Sequence, residues 1–341
     1  MSATRLFFVW ITMSVLTAWL MPIGSRDYPI YLRDFADFNA NSFFHAASQD
    51  PLYGGVVWLF GHLGGDAEVF YVLLACFGLW VKLKAIARLS GQSSLVVLIY
   101  ACSYFFLHDF TQIRAGLAIG IWMHALANLP NRPGRYLLLT ALASLVHLQA
   151  AVGVLAYAVM LLARWRLGVW VLSAFSIATL GLAATPAFDL LGISVLSAIP
   201  DARTAIYLDL ASNDLWVRPN PYSAISLLAM FAAIVGLFGL PAAAMTKMSN
   251  VNRVDAPRAI FVALMLGSGA LVVLSSVSVA AFRVSEHFFS LLPVGLWLAA
   301  CRGRAKPRYL ALLWMFAGLM AYLFLFYSPY LLDPVSGEPN E

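Results

Sequence analysis

A small set of polar residues in an otherwise apolar chain has the types and spacing to do chemistry. Arg114 stands in Thr111-Gln112-Ile113-Arg114-Ala115-Gly116-Leu117-Ala118, one turn inside an apolar helix. A guanidinium there presents a planar fork of donors suited to an anionic group such as phosphate. The small residues after it let another helix or a ligand approach closely. The alternative is an arginine that snorkels to the interface. Arg283 has Glu286 and His287 at i+3 and i+4, so the three share one helical face. They form either a local ion pair at a helix end or a second anion contact with a base beside it. Arg203 and Arg26 offer further anion contacts, and Gln112 and Asp50 join the binding group. For a proton acceptor the order of preference is His147, then Glu286, then Asp27, because an imidazole takes a proton near neutral pH. The histidines are too dispersed for a metal site, and no Gly-rich phosphate loop or zinc protease motif is present. Neither a metal nor a cofactor is expected.

The elements that must hold these residues are membrane helices. The sequence is 62% hydrophobic and 11% charged, too few charges to give a soluble protein of this length its shell. Apolar runs of membrane-crossing length recur at 6–23, 66–83, 94–107, 111–129, 167–185, 222–245, 258–281, 284–301 and 309–327. Residues 94–107 are short for a span and are expected to extend into their flanks. Residues 52–64 read as an interfacial or re-entrant helix, and 136–163 are too long for one span. The expected fold is an all-α polytopic bundle of about 9–11 membrane helices in one domain, with a broken or re-entrant pair near 136–163. Cys76, Cys102 and Cys301 sit in apolar runs and suggest neither a disulfide framework nor a metal site.

Charge sets the orientation. Arg132 and Arg135 precede the long run and Arg164 and Arg166 follow it. A break near His147 to Gln149 keeps both pairs in the cytoplasm, as the positive-inside rule asks. On this map Lys82 is an inner base, and 15 of the 21 basic residues but only Asp255 of the 16 acidic ones lie inside. The polar candidates collect at the outer edge: Arg26, Asp27, Asp50, His108, Asp109, Arg114, His147, and Arg283, Glu286 and His287 in a tight turn between two late spans. The outer segments 24–66 and 186–221 are the candidate substrate-facing elements, against the plainer reading of solvated loops. The basic residues are scattered as membrane orientation requires, so the net charge of +5 does not indicate nucleic acid.

These motifs, in this order, resemble the EpsG family of Wzy-like polysaccharide polymerases. The likeness covers most of the chain. It rests on Gly24-Ser25-Arg26-Asp27-Tyr28-Pro29-Ile30-Tyr31; on Asp50-Pro51-Leu52-Tyr53, with Leu where the family has Gly; on Gln112-Ile113-Arg114-Ala115-Gly116-Leu117-Ala118; on His147-Leu148-Gln149, with Gln where the family has Ser or Thr; and on Arg283-Val284-Ser285-Glu286-His287-Phe288-Phe289. The resemblance implies a multi-pass protein of the bacterial inner membrane whose active site faces the periplasm. It would join oligosaccharide repeat units carried on undecaprenyl diphosphate, beside a chain-length regulator and export machinery. Arginines at the outer interface would then stabilise the diphosphate leaving group, and one Asp, Glu or His would take the hydroxyl proton.

Two other classes stay open. A membrane glycan ligase or acyltransferase uses the same face with another acceptor. A transporter or lipid flippase places polar groups near mid-membrane, whereas here the inner halves of the spans read as almost entirely apolar.

Overall fold

The computed structural model describes residues 2–25, 27–48, 50–91, 93–129, 132–163, 166–182, 223–238, 256–275 and 277–302, together with Ser194 and Gly318. The regular elements among the described residues are all helical. Helix α1 (Ala3–Gly24) begins at Ser2, whose hydroxyl accepts the Arg5 N–H at 3.3 Å and so satisfies a donor that a helix start leaves open. Three shorter helices follow: α2 (Tyr28–Ala40), α3 (Phe43–Ala47) and α4 (Pro51–His62). Prolines open α2 and α4, where a missing N–H costs nothing. Then come α5 (Ala67–Leu89), α6 (Ser94–Ser103), a π-helical segment (Phe105–Thr111), α7 (Ile113–Asn128), α8 (Pro133–Val146) and a 3₁₀ turn (Leu148–Ala151). The chain continues through α9 (Val152–Leu162), α10 (Arg166–Leu182), α11 (Ala224–Phe238), α12 (Ala256–Val273), α13 (Ser278–Phe289) and α14 (Leu292–Arg302).

Among the described residues, four stretches are long and apolar enough to cross a bilayer: Ala3–Pro22, Ala67–Leu89, Ala256–Val273 and Ala280–Cys301. A fifth is the pair Ser94–Ser103 and Phe105–Thr111, bent by 67°. The protein is therefore an all-α, multi-pass membrane protein, and α8 to α11 add shorter apolar helices. The described chain divides into two compact units, one holding α1 to α8 with the 3₁₀ turn and the other holding α9 to α14.

In the first unit, α1 packs on α5 through Trp10, whose indole N–H donates to the Cys76 carbonyl at 2.8 Å. The segment expected as outer loop, 24–66, is folded as α2 to α4 and contributes Tyr28, Tyr31, Phe38, Tyr53 and Val57 to a core shared with Tyr71 and Phe110. Gly54 lets α4 meet α3, since a Cβ there would lie 1.8 Å from the Ala46 carbonyl oxygen. At 12 residues, α4 is about 18 Å long, too short to cross, as its apolar length suggested. The short run at 94–107 extends through Thr111, but as a bent pair.

The expected break in 136–163 is present. Helix α8 ends at Val146, and His147 leaves helical geometry (φ −154°, ψ 115°). Its N–H still donates to Ala143 at 2.9 Å, and its carbonyl accepts from Ala150 at 2.9 Å.

In the second unit, α12 carries the packing. Ser268 donates to the Ser226 carbonyl of α11 at 3.2 Å, and Gly267 lets Phe288 and Phe289 of α13 lie against its backbone. Here the structure corrects the sequence reading. Arg283, Glu286 and His287 are not in a turn but inside α13. The chain turns instead near Leu274–Ser275, while Ser290–Leu291 is a local irregularity inside the apolar stretch Ala280–Cys301, just ahead of Pro293. The span expected at 309–327 and the outer segment 186–221 lie outside the described residues, apart from Gly318 and Ser194.

Candidate active site

Three of the residues singled out from the sequence meet in the first unit. Asp50 precedes α4 and is fully buried. One carboxylate oxygen, Oδ1, accepts the Leu148 N–H at 2.9 Å. The other, Oδ2, lies 3.2 Å from Nη1 of Arg114 and 3.6 Å from Nδ1 of His147. The break after α8 creates this arrangement. It frees the Leu148 amide from helical bonding and turns His147 toward the same carboxylate. Burial works to raise the pKa of Asp50, but His147, Arg114 and the Leu148 N–H outweigh it and hold the group down at about 2. Asp50 is thus a fixed anion across the physiological range.

Arg114 is also stacked, with its guanidinium carbon 4.9 Å from the centre of the Tyr53 ring. Tyr53 follows Asp50 by three residues, so the first turn of α4 brings both to the same arginine. Its hydroxyl lies 3.2 Å from that of Tyr71, and the Tyr31 ring packs tilted against Tyr71, with centres 5.2 Å apart. Asp34, on α2, is within electrostatic reach of Arg114, and burial pushes its carboxyl upward despite that cation. The Arg114 side chain retains 20% exposure while Asp50 has none. The carboxylate lies against one edge of a guanidinium with five donors, and part of the Arg114 side chain stays accessible.

The sequence missed Tyr53, Tyr31, Tyr71 and Asp34 as site residues. Helical spacing was the available signal, since Tyr31 and Asp34 are three apart on α2 and Asp50 and Tyr53 three apart at α4. Which tyrosines face Arg114 depends on how α2 and α4 fold back on α5, which no local pattern states.

Other candidates take different places. Gln112 is half-buried and links the π-helical segment to α7: its N–H donates to Leu107 and its carbonyl accepts from Gly116, both at 2.8 Å. Asp27 is half-buried at the start of α2, within electrostatic reach of Tyr31. In the second unit, Glu286 and His287 are buried while Arg283 is half-buried and within electrostatic reach of Glu286. Arg26 and Arg203 lie outside the described residues. Among the described residues no group of three or more His, Cys, Asp or Glu is arranged to hold a metal ion.

A second charge cluster overturns part of the topological map. Lys82 and Asp109, expected on opposite sides, form an ion pair at 2.8 Å with exposures of 0% and 2%. The Tyr100 hydroxyl donates to the other Asp109 oxygen. The bent α6 and π-helical pair carries Asp109 down beside α5, and Lys82 lies about 24 Å along α5 from its cap at Asp66. His108 is buried next to this pair. The small residue Gly116 serves the protein here and not a ligand, because a Cβ would meet the His108 carbonyl oxygen at 2.2 Å and Lys82 Nζ at 3.2 Å. His124 of α7 also bonds the Val81 carbonyl of α5, at 2.9 Å.

The model of the EpsG family matches residues 4–333, nearly the whole chain. The chain belongs to the EpsG family. It is thereby a membrane protein related to glycan polymerases, with a general glycosyltransferase-like polymerase character and a place in polysaccharide biosynthesis. None of the curated proteins and none of the solved structures matches it. Within this EpsG-family chain, three of the resembling signatures converge in the first unit: Asp50-Pro51-Leu52-Tyr53, the Arg114 helix and His147-Leu148-Gln149 meet at one carboxylate. The Arg283 signature belongs to the second unit.

Proposed function

We propose that this protein polymerises oligosaccharide repeat units carried on undecaprenyl diphosphate, at the periplasmic face of the bacterial inner membrane. The observation that carries this reading is the Arg114 guanidinium, anchored by a buried carboxylate, stacked on an aromatic ring and still partly open. An arginine kept for structure alone needs no open edge. One that is preorganised and partly free suits an anion whose charge grows in the transition state.

The arrangement supports the following roles. The diphosphate of the donor lies at Arg114. The hydroxyl of the incoming unit bonds to the anomeric carbon of the donor sugar as that carbon's bond to the diphosphate breaks. The hydroxyl proton passes to His147, and undecaprenyl diphosphate leaves with the negative charge. Asp50, too buried to reach substrate, orients His147 and Arg114 together. Asp27 and Glu286 are the alternative bases. Arg283, Arg203 and Arg26 remain candidates for anion contacts on the sequence alone.

The test is complementation of cells lacking the chromosomal copy with wild type or Arg114→Ala at matched protein level, followed by gel and mass analysis of lipid-linked glycans. Arg114→Ala is expected to abolish long chains and accumulate single lipid-linked repeat units. Normal chain lengths in the variant would remove Arg114 from the site. Normal chain lengths in the deletion strain would remove the polymerase reading, and a single capped product in place of a ladder would favour a ligase.

A further inference from the structure

We propose that a cleft in the first unit holds the hydrocarbon chain of the lipid-linked donor, a single long polyprenyl chain whose phosphate end sits at Arg114. The proposal rests on Arg114 being the diphosphate contact. The cleft has a volume of about 510 Å³ and lies among α4, α5, α7 and α8. Along α5 its wall is Phe70, Leu74, Phe77 and Val81, and α7 and α8 supply Ile121 and Leu142 among others. Tyr53 joins the two sites: it lines the cleft and carries the Arg114 guanidinium on its ring. The opposite end of the cleft is polar, formed by Arg88, Asn128 and Arg135.

Length selects the occupant. From Phe70 to Arg88 the lining follows about 27 Å of helix. One leaflet supplies only about 15 Å of hydrocarbon, half of a core ~30 Å thick. A phospholipid chain confined to its own leaflet fills about half of such a slot, whereas a polyprenyl chain headed at Arg114 fills it to the polar end. Phe77 and Leu142 are well exposed, so the chain enters sideways from the bilayer.

Energetics define what the cleft does. Lipid tails are as apolar as leucine, so moving a chain from bilayer into cleft gains little hydrophobic free energy. The head at Arg114 supplies affinity, and the cleft supplies register, holding the scissile bond at one depth relative to His147. Blocking the cleft must therefore act sterically and only on long chains.

The experiment uses the full chain in phosphatidylcholine nanodiscs, with undecaprenyl diphosphate and geranyl diphosphate as probes. The double variant Ile121→Trp/Leu142→Trp is expected to weaken undecaprenyl diphosphate binding at least about tenfold, ~1.4 kcal/mol, and to leave geranyl diphosphate binding unchanged. Arg114→Ala is expected to weaken both. If Arg114→Ala weakens both probes and the tryptophans weaken neither, the cleft assignment is wrong while the site stands. If Arg114→Ala weakens neither, the site reading falls and the cleft assignment with it. Should the tryptophans unfold the protein, a photoreactive residue at Phe77 decides. Capture of added undecaprenyl diphosphate supports the proposal, and capture of phosphatidylcholine alone overturns it.

Discussion

Two ion pairs in the first unit have the same chemistry and opposite surroundings. Lys82 and Asp109 are sealed, with Tyr100 completing the carboxylate's contacts and glycines of α7 closing over them. Asp50 and Arg114 share the burial on the acid side only, since the arginine side chain is partly exposed and has an aromatic ring beneath it and a histidine beside its partner. A fully enclosed pair inside apolar helices has its desolvation cost to meet and no surface to offer, so it acts on the fold. A half-open pair leaves donors for a third group. An intramembrane charge is therefore evidence of function only when some of its hydrogen-bonding capacity remains accessible.

The sharpest way to separate the pairs is to remove one side chain from each region and measure activity and stability together. His147→Gln is expected to lower polymer formation by roughly 10²- to 10⁴-fold, the usual range for a lost general base, with an unfolding midpoint near that of wild type. An equal loss of both would make His147 a structural residue like Lys82. Lys82→Ala is expected to do the reverse. Leaving Asp109 buried without its cation should cost about 3–5 kcal/mol, read as a lower midpoint and reduced membrane abundance. Lys82→Met with Asp109→Leu should recover much of that loss. Failure of the pair to recover would mean that the cluster does more than hold α5 to the π-helical segment.

A smaller effect is expected at Tyr53→Leu, which keeps an apolar wall and removes the ring under Arg114. The loss is about 0.5–2 kcal/mol of cation–ring attraction, measured as weaker binding of a diphosphate probe with the fold intact. Smallest is the pH effect. The folded Asp50 sits at about 2, below its usual 3.8. Its contribution is therefore fully present above the usual value and is lost as pH falls through about 2. The difference in unfolding midpoint between wild type and Asp50→Asn should not shrink from pH 8 to 5, where any protonation of His147 only widens it, and should narrow only below about pH 4. A difference that shrinks between pH 7 and 5 would show that Asp50 is not held by Arg114 and His147.

Much of the site was legible in the sequence. Arg114 stood out because a charge inside an apolar helix is expensive. His147 stood out because a 28-residue apolar run flanked by arginines at both ends requires a break, and the break is there. Asp50 stood beside a proline that opens a helix. The Lys82–Asp109 pair was not legible. A side map assigns each charge to its nearest loop, and that rule fails when a span bends by 67° and draws a carboxylate down beside a neighbouring helix. The position of Arg283, Glu286 and His287 was misread for a related reason: an apolar run alone does not say whether a polar triplet interrupts a helix or is packed within one.

By itself, the sequence determined that this is a helical membrane protein of the EpsG family, since hydropathy, charge scarcity and ordered motifs are properties of the chain read in line. Only the tertiary structure decided which polar residues share a partner. Asp50, Arg114 and His147 are separated by dozens of residues, and their meeting depends on α2 to α4 folding against α5 and on α8 ending one residue before His147. Contacts of that kind follow from the packing of whole helices, whose geometry is set by close approaches such as those at Gly54 and Gly116 and not by any local pattern of residues.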